Sequence, residues 1–503
     1  MKLPKSKLNK SIIKIGVLNG ISGFLGFIYI VIVANFFGTS REIEIFFATS
    51  LLQQLTVRIM QTGQLAEIMI PIYHKIKIDF GEEAAFKSYG VIITWILLFL
   101  TSLIVLILLS AKFLVKVIIP GFDTTSQILA VRMIRTLAPL SIIQVFSIMI
   151  GNLSNAERYF GWPEMAGLIS RMVNVLIVVS TYNMFKVWSL VIGLWLSSLT
   201  RVLVLIVFLI KRVKLYLTLS SPHIKIRELI KRISAATLYT GATQLYLTSL
   251  SAAFSYLPQG SYGAFQYAVK LADRLQGILL RPVGVVYFTE FSENVGRKNF
   301  TSNVFLFVNG LKKATLIAGL LCIPLAVSSY GLIKLIFGVK KVNASVDMVM
   351  FAFRIFMLLF LLKPVSLIYR KLVMAFQEAD VYYSWAAAIQ LISALGAYFI
   401  IPIMKFNQAI LLVAGFNALL LSVPVVISMV KMRDFYWVKF LKYIVPVVII
   451  FLSIFALITP FADRVYKITN DELNLAVFNI IFIALTFLVG SLSLILYKPK
   501  YKS

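Results

Sequence analysis

The chain has 503 residues, 60% of them hydrophobic and only 14% charged, with mean hydropathy +0.91 and formal net charge +29. Soluble domains carry about 45–50% apolar and about 25% charged residues, so a soluble protein is excluded and a membrane protein expected. The apolar runs are continuous, as in "VIITWILLFLTSLIVLILLS", rather than alternating in segments of about 10 residues, which excludes a transmembrane barrel.

Taken in chain order, the pattern predicts about fourteen helical spans. Those at 11–36, 45–71, 88–110, 125–151, 163–184 and 188–210 precede a long basic linker. Those at 233–257, 262–290, 303–330, 346–369, 381–403 and 408–430 follow it, and 442–461 and 474–496 come last. The expected fold class is an all-α integral membrane protein. It comprises an N-terminal six-helix lobe (1–210), a cytoplasmic linker (211–232), a C-terminal six-helix lobe (233–430), and two additional spans with a basic tail (431–503). Each lobe opens alike: a helix, a polar glycine turn ("FFGTS", "PQGS"), then a helix with intramembrane cations. Parallel repeats of this kind place a transporter's substrate at their interface.

Lysine and arginine mark cytoplasmic loops. Connections 211–232, "ENVGRKN", "KMRDFYWVKFLK" and the tail "YKPKYKS" are basic, while alternate connections are short or charge-balanced, "FGVKKVN" excepted. Both termini are therefore expected in the cytoplasm. This topology accounts for most of the net charge, so no nucleic-acid partner is expected. No cleavable signal peptide is expected either, because the first apolar stretch is too long for one.

The first span has no charge between Lys14 and Arg41 but carries Gly16, Gly20, Gly23 and Gly26 near one stripe. Small residues there allow close helix packing. Gly20, Gly23 and Gly26 are equally suited to a hinge. Later spans hold charges: Arg58 and Glu67, then Arg132 and Arg135, then Arg171, then Lys270, Asp273, Arg274 and Arg281, then Arg354 and Lys363. Each costs about 2.5–3.5 kcal/mol at the bilayer centre unless it faces a cavity or a partner. Lys270, Arg274 and Arg281 share a helical face, and Asp273 can neutralise only one of its neighbours. The surplus positive charge is built to receive an anion, and arginine's planar fork suits phosphate. Snorkelling to the headgroups is the competing expectation, above all for Arg132 and Arg281.

Other chemistries are missing. Cys322 is the single cysteine, and His74 and His223 have no partner at ligand spacing, so no metal site is expected. There is no phosphate-cradling glycine loop and no nucleophile–base pair. The expectation is a transporter without cofactor or catalytic residues, driven by a coupling ion or the membrane potential.

Several motifs then resemble one family. "ANFFGTSREIEIFFATSLLQQLTVRIMQTGQLAEIMIPIY" (34–73) is similar to the second-helix region of lipid II flippases of the MurJ type. Those belong to the multidrug/oligosaccharidyl-lipid/polysaccharide exporter superfamily. "IIPGFDTTSQILAVRMIRTLAPL" (118–140) resembles their Pro-Gly-Phe turn and arginine-bearing fourth helix. "NAERYFGWPE" resembles the loop that follows, and "SLSAAFSYLPQGSYGAFQYAVKLADRL" (249–275) resembles the seventh-to-eighth helix junction. The resemblance implies fourteen helices around a central cationic cavity, alternating access, and a polyprenyl-diphosphate-linked glycan as cargo among membrane lipids. Arg58 matches one of the family's paired second-helix arginines, with Val57 in place of the other. Glu44 stands where the family has aspartate, and Thr62 where it has glutamate. The two first-helix arginines fall on Gly23 and Tyr29. The family's eighth-helix Asp-Arg pair matches Asp273 and Arg274, with Lys270 one turn earlier.

The candidate diphosphate ligands are therefore Arg58, Lys270 and Arg274, with Arg135 and Arg281 behind them and Asp273 and Glu44 in support. The alternatives are a cation-coupled multidrug antiporter of the same superfamily and a non-transporting scaffold.

Overall fold

A computed structural model describes residues 5–61, 73–157, 159, 161–209, 214–222, 235–275, 291, 300–338, 344–376, 378–431, 437–469 and 471–496. Among these residues the secondary structure is helical, with no strand. They gather into two compact units. One joins Met1–Ile32 to Arg41–Tyr256, and the other joins Val33–Ser40 to Leu257–Ser503.

In the first unit, helix α1 runs Lys5–Phe37 and α2 Arg41–Gln61, with a short α3 over 73–80. The long α4 spans Glu82–Ile118, followed by α5 (Thr124–Leu137) and α6 (Leu140–Ala156). Helices α7 (Trp162–Phe185) and α8 (Trp188–Leu209) form a tight hairpin, and α9 (Ala235–Phe254) packs on α2 and α4. The fourth predicted span is thus two helices. Pro139 lacks the N–H that would carry one helix into the next. Helix α4 exceeds the expected span 88–110 at both ends, and its large exposed side chains Phe99, Leu106, Leu109 and Phe113 are apolar. Such exposure suits hydrocarbon rather than water.

The described part of the basic linker, 214–222, lies along the start of α4. Trp95 donates from Nε1 to the Leu219 carbonyl at 3.0 Å, and Ser88 and Ser221 hydroxyls meet at 3.0 Å. The Pro120–Gly121–Phe122 turn is fastened to the end of α9. The Gly121 amide donates to Ser255 Oγ at 2.9 Å, and a β-carbon at Gly121 would lie 2.5 Å from the Ser255 carbonyl oxygen.

In the second unit, α10 covers 261–275, α11 Phe300–Val327, α12 Ser329–Phe337, α13 Ala344–Leu359 and α14 Lys363–Ala375. Then follow α15 (Ala379–Ile400), α16 (Phe406–Lys431), α17 (Trp437–Ile468) and α18 (Glu472–Leu496). Gly260 opens α10 at φ 92°, a left-handed conformation that favours glycine. A β-carbon there would also lie 2.7 Å from Ser345 Oγ. The predicted tenth span is broken: α13 and α14 meet at a 45° bend. Pro364 in the first turn of α14 denies the preceding helix a donor. The predicted loop after residue 461 is instead helical to Ile468, with Pro446 and Pro460 inside α17. Phe307, Tyr369, Phe451, Tyr466 and Phe482 fill the apolar centre of this unit.

Nine helices among the described residues are long and apolar enough to cross a membrane, or ten if the bent pair counts as one span. The spans expected at 45–71 and 262–290 run into positions outside the described residues.

Candidate functional site

Helix α10 carries the strongest group of sequence-predicted residues. Its register places Tyr262, Gln266 and Lys270 one turn apart on one face. Buried Gln266 donates from Nε2 to the Tyr262 hydroxyl at 3.0 Å and accepts at Oε1 from Lys270 Nζ at 3.2 Å. This relay fixes the half-buried Lys270 ammonium along the helix. One turn further, Asp273 and Arg274 are exposed. Lys363, at the start of α14, approaches the Asp273 carboxylate, Nζ to Oδ1 3.4 Å. The pair is open to solvent on the aspartate side and contributes at most about 1 kcal/mol to stability. Among the described residues, Lys270 and Arg274 thus share a helix with Asp273, and Lys363 approaches the same carboxylate from α14. Arg281 lies outside the described residues.

Other cations of this unit have structural partners. Arg354 of α13, another predicted intramembrane charge, is fully engaged. Its guanidinium makes a two-pronged pair with Asp463 at 2.6 and 2.9 Å, and Nε donates to Ser329 Oγ at 2.8 Å and to the Ala326 carbonyl at 3.2 Å. It ties the α11–α12 break to α17. Lys334 is likewise structural, buried and donating to the Tyr466 and Thr469 carbonyls at the end of α17.

In the first unit, Glu44 is 1% exposed and paired with Arg41 at 2.8 Å, and the Arg41 guanidinium lies over the Phe122 ring at 4.0 Å. Glu44 thus anchors the first turn of α2, where a carboxylate is favoured by the helix dipole. Arg58 lies on α2, with its side chain outside the described set. Arg135 is exposed on α5. Helix α1 continues unbroken through Gly20, Gly23 and Gly26, and a β-carbon at Gly20 would meet open space.

The sequence gives no sign that Lys363 lies beside Asp273. That residue was visible only as an isolated charge in the Lys-Pro pair that starts a new helix.

Comparisons with known proteins bear on the family and the fold. The profile of the lipid II flippase MurJ family matches residues 33–462. The probable lipid II flippase MurJ of Buchnera aphidicola subsp. Acyrthosiphon pisum (strain APS) is 26% identical over 296 residues, 57% of each chain. Its counterpart from Buchnera aphidicola subsp. Schizaphis graminum (strain Sg) is 24% identical over 294 residues, 56% of each. The chain therefore spans little more than half the length of the curated relatives it matches. A solved lipid II flippase MurJ in an inward closed conformation superposes with TM-score 0.76 at 17% identity, covering 95% of this chain and 98% of that one. An inward-facing multidrug resistance MATE family transporter gives 0.62 at 14% identity, covering 82% and 94%. Both likenesses concern the fold. The profile match runs through most of the sequence, and on that ground the chain belongs to the lipid II flippase MurJ family.

Proposed function

We propose that this protein is a flippase that carries a polyprenyl-diphosphate-linked glycan, lipid II or a related surface-polysaccharide precursor, across the bacterial cytoplasmic membrane. What supports this reading is that Lys270 and Arg274 lie on α10 with Asp273 and that Lys363 reaches the same carboxylate, within a chain of the MurJ family. A diphosphate is the kind of group such side chains bind, because charge-assisted hydrogen bonds to phosphate are the strong kind. Arg58, Arg135 and Arg281 would complete the set, with Glu44 holding α2 in place.

The working topology is fourteen spans with both termini cytoplasmic, organised as two repeated lobes (1–210 and 233–430) and an additional pair of spans (431–503). Alternating access would bend at Gly20, Gly23 and Gly26, driven by a coupling ion or the membrane potential. Membrane lipids solvate the prenyl tail between helices. No step in this reading makes or breaks a covalent bond of the cargo.

Multidrug antiport, the second reading, draws only on the fold likeness to the MATE transporter. One experiment separates the two. Cells lacking other flippases and depleted of this protein should lose surface-accessible lipid-linked sugar. A Lys270→Ala/Arg274→Ala chain that inserts normally should fail to restore it, by about a hundredfold or more if each cation contributes at least about 1.5 kcal/mol. Undiminished translocation after depletion overturns the flippase, and drug efflux surviving the double substitution favours the antiporter.

A further inference from the structure

A second polar site lies wholly within the first unit. Helices α1, α7 and α8 enclose a pocket of about 260 Å³ lined by Ser22, Glu164, Gly167, Ser170, Arg171 and Arg201. Helices α7 and α8 form a hairpin, so Glu164 near the start of one and Arg201 near the end of the other lie at the same end of the pair. Arg171, two turns along α7 from Glu164, reaches across to α1 and donates from Nη1 to the Ser22 carbonyl.

Two atoms in this pocket are unspent. Arg201 Nε and Glu164 Oε2 are both shielded from solvent and neither makes a hydrogen bond. Glu164 lies within electrostatic reach of Arg201. A buried donor and a buried acceptor without partners each cost the desolvation of that group. Such groups call for a partner, an ordered water, an ion or a ligand. The lining carries two guanidiniums and one carboxylate, which favours an anionic occupant. It must also bring a donor, because Glu164 Oε2 needs one. The walls are three helices from the membrane-spanning part of the chain, a setting in which an amphiphile from the bilayer can present its headgroup.

We propose that this pocket binds the phosphate of a lipid headgroup that also carries a hydrogen-bond donor, with Arg171 and Arg201 on the phosphate oxygens and Glu164 on the donor. Two lipids offer that chemistry. One is the prenyl-diphosphate sugar, whose donor is a sugar hydroxyl or amide; in that case the site extends the flippase reading and rests on it. The other is a bilayer phospholipid whose donor is an ammonium or glycerol hydroxyl, in which case the site stands independently.

The test uses the full chain in phosphatidylcholine nanodiscs, since phosphatidylcholine has the phosphate but no donor. The discs are doped in turn with phosphatidylethanolamine, phosphatidylglycerol and prenyl-diphosphate-linked N-acetylglucosamine, and retained lipid is counted by native mass spectrometry. The unaltered protein should retain at least one donor-bearing lipid about tenfold over phosphatidylcholine, the scale of one charge-assisted contact. Arg171→Gln/Arg201→Gln should abolish that preference, and Glu164→Ala should erase the advantage of the donor. Gly167→Leu guards against misfolding of the charge variants. A β-carbon at Gly167 meets open space, so the added side chain fills the pocket while leaving every charge in place. Retention of the sugar lipid alone assigns the pocket to the cargo, and retention of either phospholipid assigns it to the bilayer.

Equal retention by the unaltered, Gly167→Leu and double-glutamine chains overturns the site, as does retention of phosphatidylcholine at the level of the others. The Lys270→Ala/Arg274→Ala chain should keep the pocket-bound lipid while losing translocation. A flippase that works without the pocket-bound lipid therefore sinks only this site, and a pocket that binds in a chain shown not to flip sinks only the flippase.

Discussion

Arg354 and Lys363 carry the same charge within one predicted span, yet their surroundings divide their roles. Arg354 meets Asp463 through two short contacts and has its remaining nitrogen bonded as well. Removing one member of such a part-buried pair strands the other. Asp463→Ala should cost about 3 kcal/mol in thermal unfolding of the detergent-solubilised protein. Arg354→Met with Asp463→Leu should cost clearly less than the two single losses summed, which is the coupling a double-mutant cycle measures. Lys363 instead touches an exposed carboxylate at 3.4 Å. Lys363→Ala should shift unfolding by less than about 1 kcal/mol while weakening prenyl-diphosphate binding about tenfold, read by titration of the purified chain. Sequence alone shows both as unpaired cations in apolar surroundings. Their partners lie about a hundred residues away along the chain, and no local pattern encodes that meeting.

Proline and capping residues decide where the elements stop. The Lys363-Pro364 and Ala138-Pro139 pairs each divide a stretch that hydropathy alone joins into one span. The composition was right about the apolar run and blind to the bend, because averaging over a window ignores a missing N–H. Caps are more legible. Asp123 precedes α5 and accepts from the Ser126 amide at 3.2 Å and the Ser126 hydroxyl at 2.6 Å, with Thr125 also donating. These bonds favour the ionised form and hold its carboxyl well below the usual carboxylate range. A depressed native value contributes stability above the unfolded value of about 4, and that contribution is lost as pH falls below it. Asp123→Ala should thus cost about 1 kcal/mol near neutrality. The difference between the two chains should shrink steadily as melts are recorded from pH 4 downward.

At the scale of the whole molecule, the helical class and the family were readable from a continuous apolar pattern and a handful of turns. Those signals are local and survive at 26% identity. The α10 cations were readable too, since Lys270, Asp273 and Arg274 lie within one helix. The surroundings of Lys363, Glu164 and Arg201 were not, because each is set by helices that meet only after folding. The division into units was also hidden from hydropathy. Helix α9 begins the second half of the sequence but belongs by packing to the first unit, held by Gln244 Nε2 on the Leu51 carbonyl at 3.3 Å. The Gly121–Ser255 contact reinforces that allegiance from the opposite end of α9. A nick in the basic linker would therefore not yield two independent halves. Coexpressed pieces ending and beginning near residue 222 should copurify without a tether, as the leading helix of the later piece docks onto the earlier one. The staple at Ser255 makes a segment synthesised late into a structural wall of the portion synthesised early, so the first unit stays unfinished until more than half the chain has left the ribosome.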